Sequence, residues 1–190
     1  MYKQAAIIKK TIKKDRKCMK ACCFSGHRPD RFPWGTDEKD EGCMRLKAML
    51  KAEIEQAVLD GYTHFIAGGA SGVDTWAAEI VREMKRRAKK PITLEIALPF
   101  AGYNNRPGRA GAKRQRKINT AADRITVVSE IKSLPAYYAR NRYMVDNSQR
   151  LIAVFDEESG IRGGTFQTLR YARLKGIEIR QIGWVGLVYP

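Results

Sequence analysis

Short runs of apolar residues alternate along the chain with segments in which apolar residues recur at helical spacing. The runs are typical of buried strands, and the spacing between them is typical of helices with one apolar face. The predicted strands cover residues 21–25, 63–67, 92–98, 124–128, 151–155 and 178–182. The predicted helices cover residues 45–59, 72–87, 135–147 and 164–175. On the first helix, one face is expected to bury Leu46, Met49, Leu50, Ile54, Val58 and Leu59.

Strands that are separated by helices of this length need crossover connections, which produce a parallel sheet with helices on both faces. The pattern therefore predicts an α/β fold with a doubly wound, mainly parallel sheet in a single domain. Residues 101–117 fit neither period, because glycine and arginine dominate there and apolar residues are few. We interpret this segment as a flexible loop near the mouth of a pocket, which closes on an anionic ligand.

Composition narrows the class of protein. The chain has 190 residues, of which 44% are apolar, enough for one sizeable core. Neither a membrane-spanning run nor the apolar core of a secretion signal is found, so a cytoplasmic location without membrane contact is expected. The cysteines lack paired C-x-x-C spacing, which favours buried thiols in a reducing compartment over a metal site. They are Cys18, Cys22, Cys23 and Cys43.

The net charge of +16 is concentrated in two basic blocks. Such blocks attract nucleotides or nucleic acids, but a solubilising face and a disordered arm would look the same. The first block lies in the first twenty residues, where Asp15 is the single acidic residue. It comprises Lys3, Lys9, Lys10, Lys13, Lys14, Arg16, Lys17 and Lys20. The second contains no acid and comprises Arg106, Arg109, Lys113, Arg114, Arg116 and Lys117.

The loop after the first strand contains Ser25, Gly26, His27 and Arg28. Ligands of doubly wound sheets bind outside the carboxyl ends of the strands, which places this loop at the expected site. The small residues allow the backbone to approach a ligand, and His27 and Arg28 can reach a phosphate or a ring. The alternative is a plain turn with solvated side chains.

A glycine-rich loop follows the second strand and contains Gly68, Gly69, Ala70 and Gly72, with Asp74 in the first helical turn. Backbone N–H groups and the helix dipole at such a place attract anions. Glycines also serve ordinary turns, and Asp74 can simply complement the dipole. The position directly after a strand favours the ligand-binding interpretation.

Two further segments supply candidate phosphate contacts. Arg140 or Arg142, on the helix before the fifth strand, can hold a phosphate in bidentate fashion. After the fifth strand, Gly163, Gly164 and Thr165 form a second glycine–hydroxyl cradle at a helix start. A helix cap or a plain loop is the alternative there, and it leaves the hydroxyl unexplained.

Taken together, these motifs resemble the YpsA family of the SLOG superfamily, which also contains DprA and the "lonely guy" phosphoribohydrolases. The matching segments are SGHRP (25–29), GASGVDTWAAE (69–79), PF (99–100), RNRYMVD (140–146) and GGT (163–165). The resemblance implies a Rossmann-like SLOG domain over residues 20–190, a pocket for a nucleotide-derived ligand, and a homo-oligomer. Residues 1–19 form a basic arm outside it.

One departure from the phosphoribohydrolase pattern bears on activity. Those enzymes have glutamates just after the glycine–threonine pair, whereas this chain has Gln167 and Thr168. Neither side chain can act as the carboxylate acid or base that N-glycosidic cleavage needs. Hydrolysis by that mechanism is therefore not expected, and we assign no catalytic residue, metal or cofactor.

Three functions remain open at this point. The first is a sensor, or a protein that sequesters a nucleotide signal such as an ADP-ribose derivative. The second is DprA-like binding of single-stranded DNA, for which Tyr137, Tyr138 and Tyr143 offer stacking surfaces. The third is a nucleotide N-glycosidic hydrolase that uses Asp74 or Glu79 instead.

Overall fold

A computed structural model describes residues 19–87, 91–103 and 111–187. The strands are β1 (Lys20–Gly26), β2 (Tyr62–Ala67), β3 (Thr93–Phe100), β4 (Arg124–Ser129), β5 (Arg150–Val154) and β6 (Glu178–Ile182). The helices are α1 (Glu41–Leu59), α2 (Val73–Arg87), α3 (Ala112–Ala121), α4 (Leu134–Asp146) and α5 (Gly164–Lys175). Short 3-10 turns occur at Pro29–Arg31 and Val185–Leu187. None of the described helices is both long and apolar enough to span a membrane.

The strands form one sheet in the order β4-β3-β2-β1-β5-β6, and every neighbouring pair is parallel. This confirms the predicted doubly wound α/β fold. From β1 the chain builds outward to β4, then crosses to β5 on the other side of β1. The strand order thus reverses between β1 and β5, which is the point where such sheets open a crevice at their carboxyl edge.

The helices cover the two faces of the sheet and create two apolar cores. Helices α1, α2 and α3 bury their apolar residues in the larger core, and the C-terminal part of α4 packs with α5 in the smaller core. Strand β1 contributes to both cores, because successive side chains of a strand point to opposite faces of the sheet. Cys22 belongs to the larger core and Cys23 to the smaller core. Both thiols are fully buried, and burial raises the pKa of Cys23 to about 12.

Helix α1 begins at Glu41, four residues before its predicted start. The carboxylate of Asp40 accepts hydrogen bonds from the amides of Gly42 and Cys43, and this cap lengthens the helix. Two residues predicted on its buried face are instead exposed, Met49 by 40% and Leu59 by 79%. The prediction was wrong for them because the buried stripe follows a narrower helical face. That stripe consists of Cys43, Leu46, Leu50, Ile54 and Ala57.

The predicted flexible loop at 101–117 is also corrected, since residues 112–121 form α3. Ile118 is buried, and Nε of Arg114 donates to the Glu79 carboxylate on α2 at 2.6 Å. The burial of Ile118 and the ion pairs of Arg114 with Glu38 and Glu79 stabilise this basic segment, whose residues have good helix propensity. Residues 1–18 and 104–110 lie outside the described ranges, including Cys18, most of the N-terminal arm, Arg106 and Arg109.

Candidate functional site

A cavity of about 690 Å³ opens at the carboxyl edge of the sheet, at the point where the strand order reverses. The loops that follow β1, β2 and β5 line it, together with one face of α4. This volume lies in the range of small-molecule sites. The predicted residues that line it are Ser25, Gly26, His27, Arg28, Ala70, Asp74, Arg140, Gly163, Gly164 and Thr165.

The β1 loop places a buried imidazole in this cavity. His27 is 5% exposed and packs against the rings of Phe32 and Phe155. Burial, assisted by the charge of Arg31, lowers the pKa of His27 and favours the neutral ring. Its Nε2 forms no hydrogen bond with any residue in the described ranges.

The glycine before His27 has a packing role. A Cβ at Gly26 would lie 2.4 Å from the side chain of Val73, so this glycine lets α2 approach β1. Arg28 is the next long side chain, and its Nη2 donates to the Tyr103 hydroxyl at 3.4 Å.

The glycines of the first glycine-rich loop are required by the loop itself. Gly69 and Gly72 have φ of +68° and +85°, values that favour glycine. A Cβ at Gly72 would also lie 2.6 Å from the carbonyl oxygen of His27. A Cβ at Gly68 would lie 1.6 Å from Nη1 of Arg140, so the guanidinium occupies the space that this glycine leaves. Gly69 and Gly72 line a second, smaller cavity of about 240 Å³ rather than the main one.

Arg140 and Asp74 form a buried ion pair behind this loop. Nη1 of Arg140 donates to the Gly68 carbonyl and lies 3.4 Å from Oδ2 of Asp74, which also accepts from the Ala70 amide at 3.2 Å. Burial raises the pKa of Asp74, and the Arg140 guanidinium opposes that rise. These contacts tie the loop to α4, while the Nε of Arg140 has no partner.

The start of α5 is arranged differently. Gly163 is the N-cap in an extended conformation, and none of the described side chains caps the first amides of the helix. A Cβ at Gly163 would meet nothing within 4 Å, and one at Gly164 would meet only the Asn141 amide at 3.7 Å. Nothing in the fold excludes side chains at these two positions. The absence of Cβ atoms leaves the helix start, with its uncapped N–H groups, accessible from the cavity.

Some predicted residues are not brought to this cavity. The guanidinium of Arg142 lies 4.9 Å from the Tyr171 ring, in a separate depression that Gln167 also lines. Thr168 is buried, and its hydroxyl donates to the Gly164 carbonyl at 2.8 Å. Glu79 is held by Arg114, on the far side of the glycine-rich loop.

Sequence reasoning missed Arg162 and Asn141, both of which line the cavity. The guanidinium of Arg162 lies 5.0 Å from the Phe166 ring at the start of α5. Its position directly before the glycine pair was the signal that could have identified it. In the ranges that the structure describes, no group of three His, Cys, Asp or Glu side chains is arranged to hold a metal ion.

The fold and this site at the strand reversal define a Rossmann-like α/β protein. The family model YpsA, whose description is "YspA SLOG family", matches residues 22–183 of this chain. The chain therefore belongs to this family. A UPF0398 protein of Listeria welshimeri is 27% identical over 143 residues, which cover 74% of this chain and 77% of that protein. A UPF0398 protein of Bacillus cereus is 28% identical over 143 residues, with coverage of 74% and 76%.

The fold is also similar to that of a solved protein, DNA processing protein A from Helicobacter pylori. The TM-score is 0.57 at 17% sequence identity, and the match covers 88% of this chain and 67% of that one. The Helicobacter protein binds single-stranded DNA. At this level of identity the likeness establishes the shared fold. Both the family and the fold expected from the sequence are thereby confirmed.

Proposed function

We propose that the protein binds a phosphate-containing nucleotide or nucleotide derivative in the main cavity, with a phosphate at the start of α5. The observation that carries this proposal is the uncapped helix start at Gly163 and Gly164, where no steric contact explains the glycines. A phosphate there would accept hydrogen bonds from the amides and interact favourably with the helix dipole. Neutral His27 adds a hydrogen-bonding ring that can contact a base or sugar.

The arrangement favours sensing or sequestering over cleavage. Asp74 is engaged by Arg140 and by the Ala70 amide, Glu79 is engaged by Arg114, and no glutamate follows the glycine–threonine pair. Incubation with nucleoside monophosphates should therefore release no free base. Release that depends on Asp74 would contradict this part of the proposal.

The direct test is a thermal-shift and calorimetry panel of NAD, ADP-ribose, cyclic ADP-ribose, AMP and cyclic dinucleotides. A ligand at a hundred times its dissociation constant should add about 2.7 kcal/mol to the free energy of unfolding. Gly164→Leu should abolish the effect without unfolding the protein, because a Cβ there meets only ordinary contact. Gly186→Leu is the matched control, at a glycine whose Cβ would meet nothing. Full affinity in Gly164→Leu would place the phosphate elsewhere.

A specific observation favours a second candidate function, the binding of single-stranded DNA. Helix α3 exposes three basic side chains beside the smaller cavity, Lys113, Arg116 and Lys117. Binding of a fluorescent strand should weaken with salt, with a slope of about −0.7 per phosphate neutralised. Replacing the three with glutamine should reduce that slope. The homo-oligomer also stays a prediction, which sedimentation analysis of the full chain would test.

A further inference from the structure

Two arginines of the main cavity have no acidic partner among the described residues. The cavity is lined by four arginines and two aspartates. Arg31 lies 3.7 Å from Asp30, and Arg140 lies 3.4 Å from Asp74. Arg28 and Arg162 form no such pair in the ranges 19–87, 91–103 and 111–187, so two positive charges remain for a ligand.

These two charges belong to different sides of the cavity. Arg28 donates to Tyr103, which follows β3, and it packs against Gly72 directly before α2, where a Cβ would lie 3.2 Å from the Cα of Arg28. Arg162 instead lies over the ring of Phe166 in the first turn of α5. Each unpaired arginine is therefore associated with a different helix start that lines the cavity.

The sheet order sets the distance between the two helix starts. Helix α2 follows β2 and α5 follows β5, and these strands are the two neighbours of β1. Adjacent strands lie about 4.8 Å apart, so the ends of β2 and β5 are separated by about 10 Å. The helices also pack on opposite faces of the sheet. We therefore expect two anionic groups held at both starts to be farther apart than the two phosphorus atoms of one diphosphate.

Buried polar atoms in the same cavity indicate a polar ligand. His27 is 5% exposed and Arg140 is 7% exposed. In the part of the chain that the structure describes, the Nε2 of His27 and the Nε of Arg140 have no hydrogen-bond partner. An unsatisfied buried polar group costs about 1–3 kcal/mol, which a hydrogen-bonding ligand can offset. Both side chains line the cavity that separates the two charged sides.

From this geometry we infer that the ligand carries two phosphates separated by at least one nucleoside, as in a 5′-phosphorylated dinucleotide. One phosphate binds at the start of α5 beside Arg162, and the other binds near Ala70 beside Arg28. The base or sugar between them contacts His27. This inference rests on the proposed nucleotide site and specifies the class of ligand that fills it.

Calorimetry of the full chain with AMP and with the 5′-phosphorylated dinucleotide pApA tests the inference. We expect pApA to bind at least about tenfold more tightly than AMP, because only pApA engages both arginines. Arg28→Gln and Arg162→Gln should each weaken pApA binding about tenfold or more, whereas only one of them should weaken AMP binding. Arg45→Gln, on the exposed surface of α1, is the charge-matched control and should change neither affinity.

Each outcome decides between defined alternatives. Equal affinities for AMP and pApA, or loss of pApA binding in only one arginine variant, would overturn the two-phosphate site and leave the proposed nucleotide function intact. A short oligoadenylate that binds much more tightly than pApA would also overturn it, in favour of a strand. If neither AMP nor pApA binds, the proposed function and the inference both fail.

Discussion

The two glycine-containing loops at the carboxyl edge of the sheet resemble each other in sequence and differ in structure. In the loop at 68–72, glycines are enforced by left-handed backbone at Gly69 and Gly72 and by the Arg140 guanidinium packed against Gly68. At the start of α5, Gly163 and Gly164 have ordinary backbone and open space where a Cβ would lie. The glycines of the first loop are therefore explained by the fold alone, whereas those of the second loop are explained by no contact among the described residues.

This difference shows that glycines in a loop before a helix can be there for different physical reasons. Glycine can be selected because the chain must bend or pack closely, or because a bound group needs the space. Only the surroundings of each position separate these causes. In the proposed function the phosphate of a mononucleotide binds at the α5 loop, whereas Gly68, Gly69 and Gly72 have a structural role in the other loop, with Arg140 and Asp74 as its anchor.

The largest effect should come from breaking that anchor. Arg140→Leu leaves Asp74 buried without its cation, and removing one member of a buried pair costs about 3–5 kcal/mol. Burial already places the folded-state pKa of Asp74 above its unfolded value, and loss of Arg140 raises it further. Stability from such a group is present at low pH and is lost as pH rises through the folded pKa. Urea unfolding should therefore show a larger loss at pH 7 than at pH 4, and an equal loss at both would contradict the assignment.

A smaller effect is expected from the backbone of the same loop. Gly72→Ala puts a Cβ at φ +85° and 2.6 Å from the His27 carbonyl oxygen. The left-handed conformation alone costs about 1–2 kcal/mol for a residue with a Cβ. Thermal or urea unfolding should show a loss of at least this size. An unchanged free energy of unfolding would mean that the loop is not conformationally constrained.

The smallest effect on stability is expected at the start of α5. Gly163→Ala adds a Cβ that meets no atom within 4 Å, so the free energy of unfolding should change by no more than about 0.5 kcal/mol. Comparison with Gly72→Ala under the same conditions sharpens the contrast between the loops. If the two variants lose equal stability, the distinction between them is wrong.

Much of the fold was predictable because its signals are local. Alternating strands and helices, with glycines at their ends, give the parallel sheet and place the loops of Ser25, Gly68 and Gly163 at one edge. Helix α3 was not predictable from periodicity, since its only buried apolar residue is Ile118. An ion pair between Arg114 and the distant Glu79 helps to hold it, and no local pattern reveals such a contact.

The sequence predicts which loops form the site, but it does not predict what each residue in them does. Arg140 and Arg142 are two residues apart, and only the helix geometry shows that the first faces the main cavity and the second the Tyr171 ring. The steric reason for Gly68 lies in Arg140, seventy-two residues away. Long-range packing of this kind leaves no trace in a single sequence, whereas Arg162 could have been selected from its position beside the glycine pair.

The assignment of the phosphate to α5 is tested most directly by nuclear magnetic resonance of the backbone amides during a titration with AMP. We expect saturable shifts at Gly164 and Thr165, because their N–H groups donate to the phosphate. The amides of Gly69 and Gly72, which line the other cavity, should shift much less. Saturable shifts confined to Gly69 and Gly72, with none at Gly164 or Thr165, would contradict the account.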